Sequence, residues 1–249
     1  MNLSGHSIES VTLLDFGTFD VGPGRRRIGI PGFLLRTDRG AHILVDTGFP
    51  PDYASAPETT AHRDGLGSFG QLVAFSEAQT ACGQLARLGL APADIALVIL
   101  SHSHIDHVGS LPCFTCPVLL TAAERAEPRP LYFGQARPMA WPDVSYIEVS
   151  ADTELCQGLT VLPTPGHTPG HLSVLLTRPE PILLTADAIN RASEPAEGFP
   201  DAMDPATAAR SAARLFAIAA QHGARLVYGH DPAQWLTLPK APALLTIPC

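Results

Sequence analysis

The sequence predicts an α/β fold, in which strands and helices follow one another along 249 residues. Residues 95–100 are six apolar residues without alternation, which is typical of a strand covered on both faces. Residues 205–222 carry an apolar stripe at helical spacing between a good N-cap, Asp204, and a good stop signal, Gly223. This length fits one large domain or two small ones, and we expect a single domain over residues 1–249.

The charge balance excludes several classes of partner. Sixteen basic and 24 acidic residues give a formal net charge of −8, and no run is rich in Lys or Arg. The electrostatic footprint of a protein that binds nucleic acid or an anionic membrane is therefore missing. We expect a small-molecule substrate, no nucleic acid and no membrane partner. No apolar run approaches the ~20 residues that span a bilayer, and the start of the chain lacks the pattern of a signal peptide, so we expect a cytoplasmic protein.

The five cysteines favour reduced thiols over a disulfide framework, because their number is odd and the chain is long. Cys113 and Cys116 have CxxC spacing, but no second CxxC completes a tetrahedral zinc site. We interpret them as a pair of buried thiols, with a redox pair as the alternative.

The first third of the chain predicts three strands followed by a long loop. The strands cover residues 11–19, 29–36 and 41–45, with glycine-containing turns between them. Asp46, after the third strand, is either a turn residue or a group that orients a metal-binding histidine. Residues 49–75 lose periodicity, which predicts a surface loop with His62 as an exposed residue on it. Arg25, Arg26 and Arg27 predict a solvated loop, with a clamp for a substrate carboxylate as the alternative.

The remaining elements alternate strands with helices, and one of the helices is predicted to start at residues 122–126. A capping box at Ser76 and Gln79 predicts a helix that stops at Gly89. Residues 127–143 contain four prolines and several aromatic residues, which fits irregular packing or the wall of an apolar pocket. The further predicted strands cover residues 117–121, 144–149, 158–162, 172–177, 182–185 and 225–228.

Three histidines and one aspartate occupy residues 102–107, directly after the strand at 95–100. Burying several titratable groups so close together costs free energy unless something neutralises or binds them. Three later strands also lead to a potential metal ligand. Four strand ends of this kind are what a site at one edge of a sheet requires. The candidate ligands are His102, His104, Asp106, His107, His167, Asp187 and His230.

Seven ligands are too many for one tetrahedral zinc ion but suit two metal ions that share a carboxylate. In a tight turn His102 and His104 can converge on one ion, while Asp106 and His107, at the start of the next helix, can turn toward another. Because the donors are imidazoles and carboxylates without a thiolate, Zn(II) is the first choice, and Fe(II), Mn(II) or Co(II) also fit.

The HxHxDH motif at residues 102–107, followed in order by His167, Asp187 and His230, resembles the metallo-β-lactamase superfamily. The resemblance extends from residue 46 to residue 230. It implies a four-layered αββα sandwich with a dinuclear metal site at one edge. It also implies that His102, His104 and His167 hold the first metal, that Asp106, His107 and His230 hold the second, and that Asp187 bridges the two. His171 is implied to be a structural histidine and not an eighth ligand.

Within the superfamily, the short chain and the Gly229-His230-Asp231 ending look most like the N-acyl homoserine lactonase group. This resemblance implies a hydrolase in which metal-activated water attacks an ester carbonyl and Asp106 orients the water and passes its proton to the leaving group. That group has Asp-Ala-x-Tyr after the bridging carboxylate, whereas this chain has Asn190 in place of the tyrosine. Asn190 is therefore the candidate donor to the substrate carbonyl. The resemblance also suggests a homodimer.

The same residues bear on other possible functions of this chain. Glyoxalase II carries a further C-terminal domain, and only nineteen residues follow His230 here. Class B β-lactamases have Cys in place of the bridging Asp, and nucleases of the superfamily need a basic surface. Hydrolysis of organophosphates or aryl esters is the main alternative. A non-catalytic, metal-stabilised binding protein is an alternative of another class, but it predicts the loss of one or more ligands, and none is lost.

Overall fold

The apolar runs form two β-sheets in the computed structural model, which describes residues 3–22, 26–134 and 136–245. The larger sheet consists of β1 (Ile8–Val21), β2 (Arg26–Thr37), β3 (His42–Val45), β4 (Gly70–Ala74), β5 (Ile95–Ile99), β6 (Val118–Thr121) and β7 (Tyr146–Val149). Its strand order is β4-β1-β2-β3-β5-β6-β7. The half with β1 to β4 is antiparallel, and β3, β5, β6 and β7 are parallel.

The smaller sheet is built from the second half of the chain. It consists of β8 (Thr153–Cys156), β9 (Leu159–Pro163), β10 (Leu172–Leu176), β11 (Ile182–Ala186) and β12 (Arg225–Tyr228). Its strand order is β12-β11-β10-β9-β8, and only the β11–β12 pair is parallel among the described strands. A parallel pair needs a crossover connection, and a long helix provides it here.

The helices in the described residues differ greatly in length. They are α1 (Pro57–Asp64), α2 (Ala81–Ala86), α3 (Ile105–Val108), α4 (Ala122–Arg125), α5 (Glu194–Glu197), α6 (Pro205–His222) and α7 (Pro232–Thr237). The longest, α6, has the predicted ends, because the Asp204 side chain accepts a hydrogen bond from the Thr207 N–H and Gly223 adopts the left-handed conformation.

Three layers of buried apolar side chains hold the sheets and helices together. Between the sheets, residues such as Leu13 and Ile99 of the larger sheet pack against Val161 and Val174 of the smaller one. A second layer joins the outer face of the larger sheet to α2. A third joins the outer face of the smaller sheet to α6. The layers therefore follow the order helix, sheet, sheet, helix, and the predicted αββα sandwich is confirmed.

Two sequence predictions about irregular segments are wrong. Residues 49–75 are not one long loop, because they contain α1 and the edge strand β4, which pairs with β1. His62 is exposed as expected, but it lies on α1. Arg26 and Arg27 are not in a loop either, because β2 begins at Arg26 and Arg27 forms an ion pair with Asp20 at 2.9 Å. Arg25 lies outside the described residues.

The capping box at Ser76 and Gln79 is present, but it starts a 3-10 turn, and α2 begins after a second cap at Thr80. Three short elements, β8, α5 and α7, had no clear signal in the sequence. Within the described ranges no helix combines the length and apolar character that a bilayer crossing needs.

Candidate metal centre

Four strands of the two sheets deliver the predicted ligands to one place. His102 follows β5 of the larger sheet, and His167, Asp187 and His230 follow β9, β11 and β12 of the smaller sheet. The remaining predicted ligands, His104, Asp106 and His107, lie just before and within α3, which begins three residues after His102. Except for the half-buried His104, all seven side chains are buried.

The seven residues form two groups of potential metal ligands. In the first group, one ligand atom each from His102, His104, His167 and Asp187 lies within 4.8 Å of the others. The second group has the same property and consists of Asp106, His107 and His230. The spacing of the HxHxDH motif predicted the same division, with His102 and His104 in one group and Asp106 and His107 in the other.

Asp187 lies between the two groups and turns one oxygen toward each. Its Oδ2 is 3.3 Å from His167 Nε2 and 3.9 Å from His102 Nε2 in the first group. Its Oδ1 is 3.2 Å from His230 Nε2 and 3.5 Å from His107 Nε2 in the second group. This position is the one that a carboxylate shared by two metal ions occupies.

The spacing of the donor atoms fits metal ions. Ligands bound at about 2.0–2.1 Å from a tetrahedral zinc ion lie roughly 3.3 Å from one another, and the distances from Asp187 span 3.2 to 3.9 Å. Several buried ligand atoms have no hydrogen-bond partner among the described residues. They are His102 Nε2, His107 Nε2, His230 Nε2 and Asp106 Oδ1. A buried polar atom without a partner is costly unless a ligand satisfies it, so this donor set fits two cations.

The protonation states of the first group also suit metal binding. Burial lowers the pKa of His104 to about 4 and holds the pKa of His102 and of His167 well below the usual value. These three rings are therefore neutral near pH 7, and the neutral imidazole is the form that binds a metal.

The second group attracts positive charge. Burial opposes protonation of His107, but the charges of Asp106, Asp187 and Asp46 outweigh it and raise the His107 pKa to about 9. Burial likewise opposes ionisation of Asp187, but the charges on His230 and His107 outweigh it and hold the Asp187 pKa well below its usual value. Burial opposes ionisation of Asp106 as well, but the charges on His107 and His230 lower its pKa. Asp106 and Asp187 therefore face these rings as ionised carboxylates, and divalent cations would displace the ring protons.

Asp46 has the orienting role that the sequence offered as one alternative. Its Oδ2 lies 2.8 Å from His107 Nδ1 and also accepts a hydrogen bond from the Ser101 hydroxyl at 2.8 Å. Its Oδ1 accepts from the Ser101 N–H at 2.7 Å. A carboxylate on the outer nitrogen fixes the tautomer of a metal-binding histidine and directs its other nitrogen to the metal. Asp46 adopts the left-handed conformation, with a φ of 61°, which is uncommon for a residue other than glycine.

His171 is a structural histidine in this geometry. Its Nε2 accepts a hydrogen bond from the Asp187 N–H at 3.1 Å, and its Nδ1 lies 2.8 Å from Thr164 Oγ1. Because a backbone N–H can only donate, the ring proton must be on Nδ1. Burial lowers the His171 pKa to about 3, so the ring stays neutral. Both ring nitrogens are engaged, and His171 supports the backbone of Asp187.

Asn190 lies at the edge of the centre, where the amide touches two carboxylates. Its backbone N–H donates to Glu194, and its side-chain nitrogen lies 3.3 Å from Glu194 Oε1. When the amide is turned over, its nitrogen donates to both oxygens of Asp187, at 3.1 and 3.3 Å. The turned orientation satisfies both ends of the amide.

A cavity of about 330 Å³ opens above the two groups. Of the two irregular segments noted in the sequence, 49–75 supplies Phe69 and 127–143 supplies Phe133. Most of the apolar wall comes from residues that the sequence did not single out. They are Phe19, Val21, Ile28 and Met203. Arg26 also lines the cavity, and its guanidinium lies 3.6 Å from Asp201. The predicted strands at residues 11–19 and 29–36 include only Phe19 of these residues, and strand pairing decides which face of a strand meets the cavity.

The CxxC cysteines lie apart from both groups. Neither group of potential ligands found in the described residues contains a cysteine. Cys113 and Cys116 are half-buried, so they are less buried than predicted. Burial raises the Cys113 pKa to about 12, and the adjacent Cys82 adds to this effect. Cys249 lies outside the described residues.

Comparisons with known proteins agree with this geometry. The family model of the metallo-β-lactamase superfamily matches residues 29–230. An N-acyl homoserine lactonase of Bacillus thuringiensis is 33% identical over 217 residues, which cover 81% of both proteins. The N-acyl homoserine lactonase AttM of Rhizobium radiobacter is 32% identical over 239 residues, which cover 86% of both.

A solved structure of an N-acyl homoserine lactone hydrolase, with the product N-hexanoyl-L-homoserine bound at its catalytic metal centre, superposes with a TM-score of 0.80. It is 25% identical, and the match covers 96% of this chain and 99% of that one.

The chain belongs to the metallo-β-lactamase superfamily. With two groups of buried ligands below an open cavity, it is a metal-dependent hydrolase of that superfamily.

Proposed function

We propose that this hydrolase opens the ester bond of lactones, with N-acyl homoserine lactones as its substrates, and that it uses two divalent metal ions, Zn(II) first among them. One observation carries the proposal: Asp187 turns one oxygen to each ligand group at the floor of a cavity with apolar walls. The lactonases that are 32–33% identical over most of the chain support the same chemistry.

The proposed ligands divide as the two groups do. His102, His104 and His167 would hold the first metal ion, and Asp187 would contact both ions. Asp106, His107 and His230 would hold the second ion. These are the two groups of potential ligands in the structure. Ions bound there would lower the pKa of a water molecule and polarise the ester carbonyl.

Asp106 is the proposed proton carrier. Its Oδ2 lies 3.3 Å from His230 Nε2, whereas its Oδ1 is buried without a hydrogen-bond partner in the described part of the chain. Asp106 also lines the cavity. A carboxylate in this position can accept the proton of the attacking water and then donate it to the departing alkoxide.

Asn190 is the proposed hydrogen-bond donor to the substrate carbonyl. It lines the cavity and is 4% exposed. Its amide nitrogen carries two N–H groups. In the turned orientation the two oxygens of Asp187 can share one of these N–H groups, and we assign the second N–H to the substrate oxygen.

The wall of the cavity suits an acyl chain. Phe133 contacts the ring of His104, with 5.4 Å between ring centroids, and packs at a tilt against Phe19 and Phe69. These rings place apolar surface directly next to the first ligand group. An alkyl chain that is attached to a lactone ring would lose contact with water along this wall.

The proposal is tested with a panel of acyl homoserine lactones, aryl esters and phosphotriesters, using protein loaded with Zn, Mn or Co. Ring opening releases a proton, which a pH indicator detects. We expect turnover of the acyl homoserine lactones. Proton release from aryl esters or phosphotriesters alone would replace the proposal with hydrolysis of those compounds.

Elemental analysis and the Asp187→Ala variant test the metal assignment. We expect two metal ions per chain in the wild type, and we expect Asp187→Ala to lose metal and activity together. A wild-type content of one or none after metal loading contradicts the two-ion assignment. An Asp187→Ala variant that keeps its metal and its turnover contradicts the role of Asp187.

A further inference from the structure

Glu124 is a fully buried carboxylate that the proposed reaction does not use. It lies on α4, directly after β6, and is 0% exposed. Its two oxygens accept four hydrogen bonds, and in the described structure all four donors are neutral groups. A buried carboxylate is costly unless hydrogen bonds compensate for its burial. Because every acceptor contact here has a donor, the position requires a carboxylate.

Each oxygen of Glu124 holds a different ligand loop. Oε1 accepts from the N–H of Ser103 at 2.8 Å and from its hydroxyl at 2.5 Å. Oε2 accepts from the Thr168 hydroxyl at 2.8 Å and from the Gly170 N–H at 3.1 Å. Ser103 lies between His102 and His104 in the chain, and Thr168 follows His167. One side chain therefore joins the two loops that carry the histidines of the first group.

The same contacts reach the cavity wall. The Ser103 hydroxyl oxygen accepts from the Leu131 N–H at 3.1 Å, and the Ser103 carbonyl accepts from the Tyr132 N–H at 3.0 Å. The next residue, Phe133, lines the cavity. Ser103, in the turn between His102 and His104, is therefore held by Glu124 on one side and by the backbone of Leu131 and Tyr132 on the other.

Asp46 acts on a different part of the centre. It binds His107 directly and reaches His102 only through Ser101. Glu124 makes no hydrogen bond to an imidazole among its described contacts and acts only on the backbone and hydroxyl groups of the first-group loops. Asp46 therefore contacts His107 of the second group directly and His102 of the first group through Ser101, whereas the contacts of Glu124 are confined to the first-group loops.

We propose that Glu124 is a positioning residue that sets the metal affinity of the first group, His102, His104 and His167, with little effect on the second group. This inference rests on the proposed function, which places one metal ion in each group. Groups that orient metal ligands from outside typically change metal affinity about 10- to 100-fold when they are removed.

The test compares Glu124→Gln with the wild type in a titration of metal-free protein with Co(II), followed by its visible absorption, and with Zn(II) in competition with a chelator. The Gln side chain has the same size, but its NH₂ group meets two donors on one side. We expect one of the two binding steps to weaken about 10- to 100-fold and the other to stay within about threefold.

A second variant, Thr168→Val, removes a single donor to Glu124. We expect it to weaken the same binding step, and we expect the double variant to be no weaker than Glu124→Gln alone, because contacts in one network are not additive. Leu176→Ala is the structural control. Leu176 is fully buried between the sheets, and it lies at the end of β10 that is far from His171. We expect it to lower the melting temperature and to leave both binding steps unchanged.

The outcomes separate the inference from the proposed function. If the wild type binds two ions and Glu124→Gln binds both with wild-type affinity, the inference is wrong and the proposed function stands. If Glu124→Gln weakens both steps equally, or if Leu176→Ala reproduces its effect, Glu124 has only a structural role. If the wild type does not bind two ions, the proposed function itself fails.

Discussion

Asp187 and Asn190 show how single residues set the chemistry of the centre. The carboxylate of Asp187 faces both ligand groups, and the amide of Asn190 lies between this carboxylate and Glu194. An amide at this position can hold Asp187, contact the substrate, or do both. These roles have different consequences for metal content and for turnover.

We expect Asn190→Ala to lower kcat for lactone opening by about 100-fold, the loss that follows removal of one donor to a developing oxyanion, and to leave two metal ions per chain. Steady-state kinetics and elemental analysis of the same preparation measure the two quantities. A variant with normal kcat excludes Asn190 as the donor. A variant that loses metal shows that the amide acts mainly on Asp187.

At the residue scale, ligands were predictable and supporting groups were not. His102 and its neighbours stand out because so many metal-binding side chains rarely gather in one short segment. The sequence around Glu124 indicates only the start of a helix. Glu124 follows Thr121 at the spacing of a capping box, and the Thr121 hydroxyl does cap α4. The carboxylate, however, turns to Ser103 and Thr168, which are 21 and 44 residues away along the chain, so only the fold reveals its role.

At the scale of elements, the turn after β12 is built around Asp187. Gly229 precedes His230, and a Cβ atom on Gly229 would lie 2.6 Å from Asp187 Oδ1 and 2.7 Å from the Ala186 carbonyl oxygen. Real Cβ atoms do not come so close to other atoms, so a side chain here must displace Asp187 and the backbone of Ala186.

We expect Gly229→Ala to weaken metal binding and to lower activity at least tenfold, an effect of the size seen when groups around a metal site are disturbed. Gly223→Ala is the matched control, because Gly223 ends α6 with a φ of 61° and a Cβ there meets no atom within 4 Å. We expect the control to lose about 1 kcal/mol of stability and no metal. Chelator competition and thermal melting measure the difference. Equal metal affinity in the two variants would show that Asp187 tolerates the displacement.

Residues 49–75 show why some elements escaped prediction. β4 is an edge strand with a single neighbour, β1, and most of its residues are exposed or half-exposed, so it lacks the apolar alternation of a covered strand. α1 has a proline at its start and a left-handed glycine at its end, but only two of its residues are buried. The sequence of α1 is short and mostly polar, so it was predicted to be a loop. A helix without a wide apolar stripe has no periodic pattern of apolar residues.

At the scale of the molecule, the metal centre connects the two sheets. His102 follows a strand of the larger sheet, and His167, Asp187 and His230 follow strands of the smaller sheet. Both ligand groups therefore combine residues that are far apart in sequence and come together only in the folded chain. A metal ion that binds such a group binds the folded state and not the unfolded chain.

We expect metal removal to lower the melting temperature. At a free metal concentration 1,000 times the dissociation constant, one bound ion adds about 4 kcal/mol of stability. For a chain of this size that amounts to a shift of about 8–16 °C. Scanning calorimetry of the Zn-loaded protein, with and without a chelator, measures the shift. An unchanged melting temperature, after elemental analysis has confirmed that the metal is gone, would contradict this linkage between binding and folding.

The cytoplasmic location, the homodimer and the single domain over residues 1–249 stay predictions of the sequence. The fold class and the family are confirmed. Both were predictable because the ligand types, their order and the apolar strands before them are local features, and each can be read from a few neighbouring residues.

The sequence by itself determined the seven candidate ligands, the α/β class and the division of the HxHxDH motif between two groups. Only the tertiary structure decided that Asp187 faces both groups, that Glu124 joins two ligand loops and that β1, β2 and Met203 form most of the cavity wall. The physical reason is the range of the contacts. A strand or a motif depends on residues close in sequence, whereas a shared carboxylate, a buried hydrogen-bond network and a cavity depend on which distant strands pair.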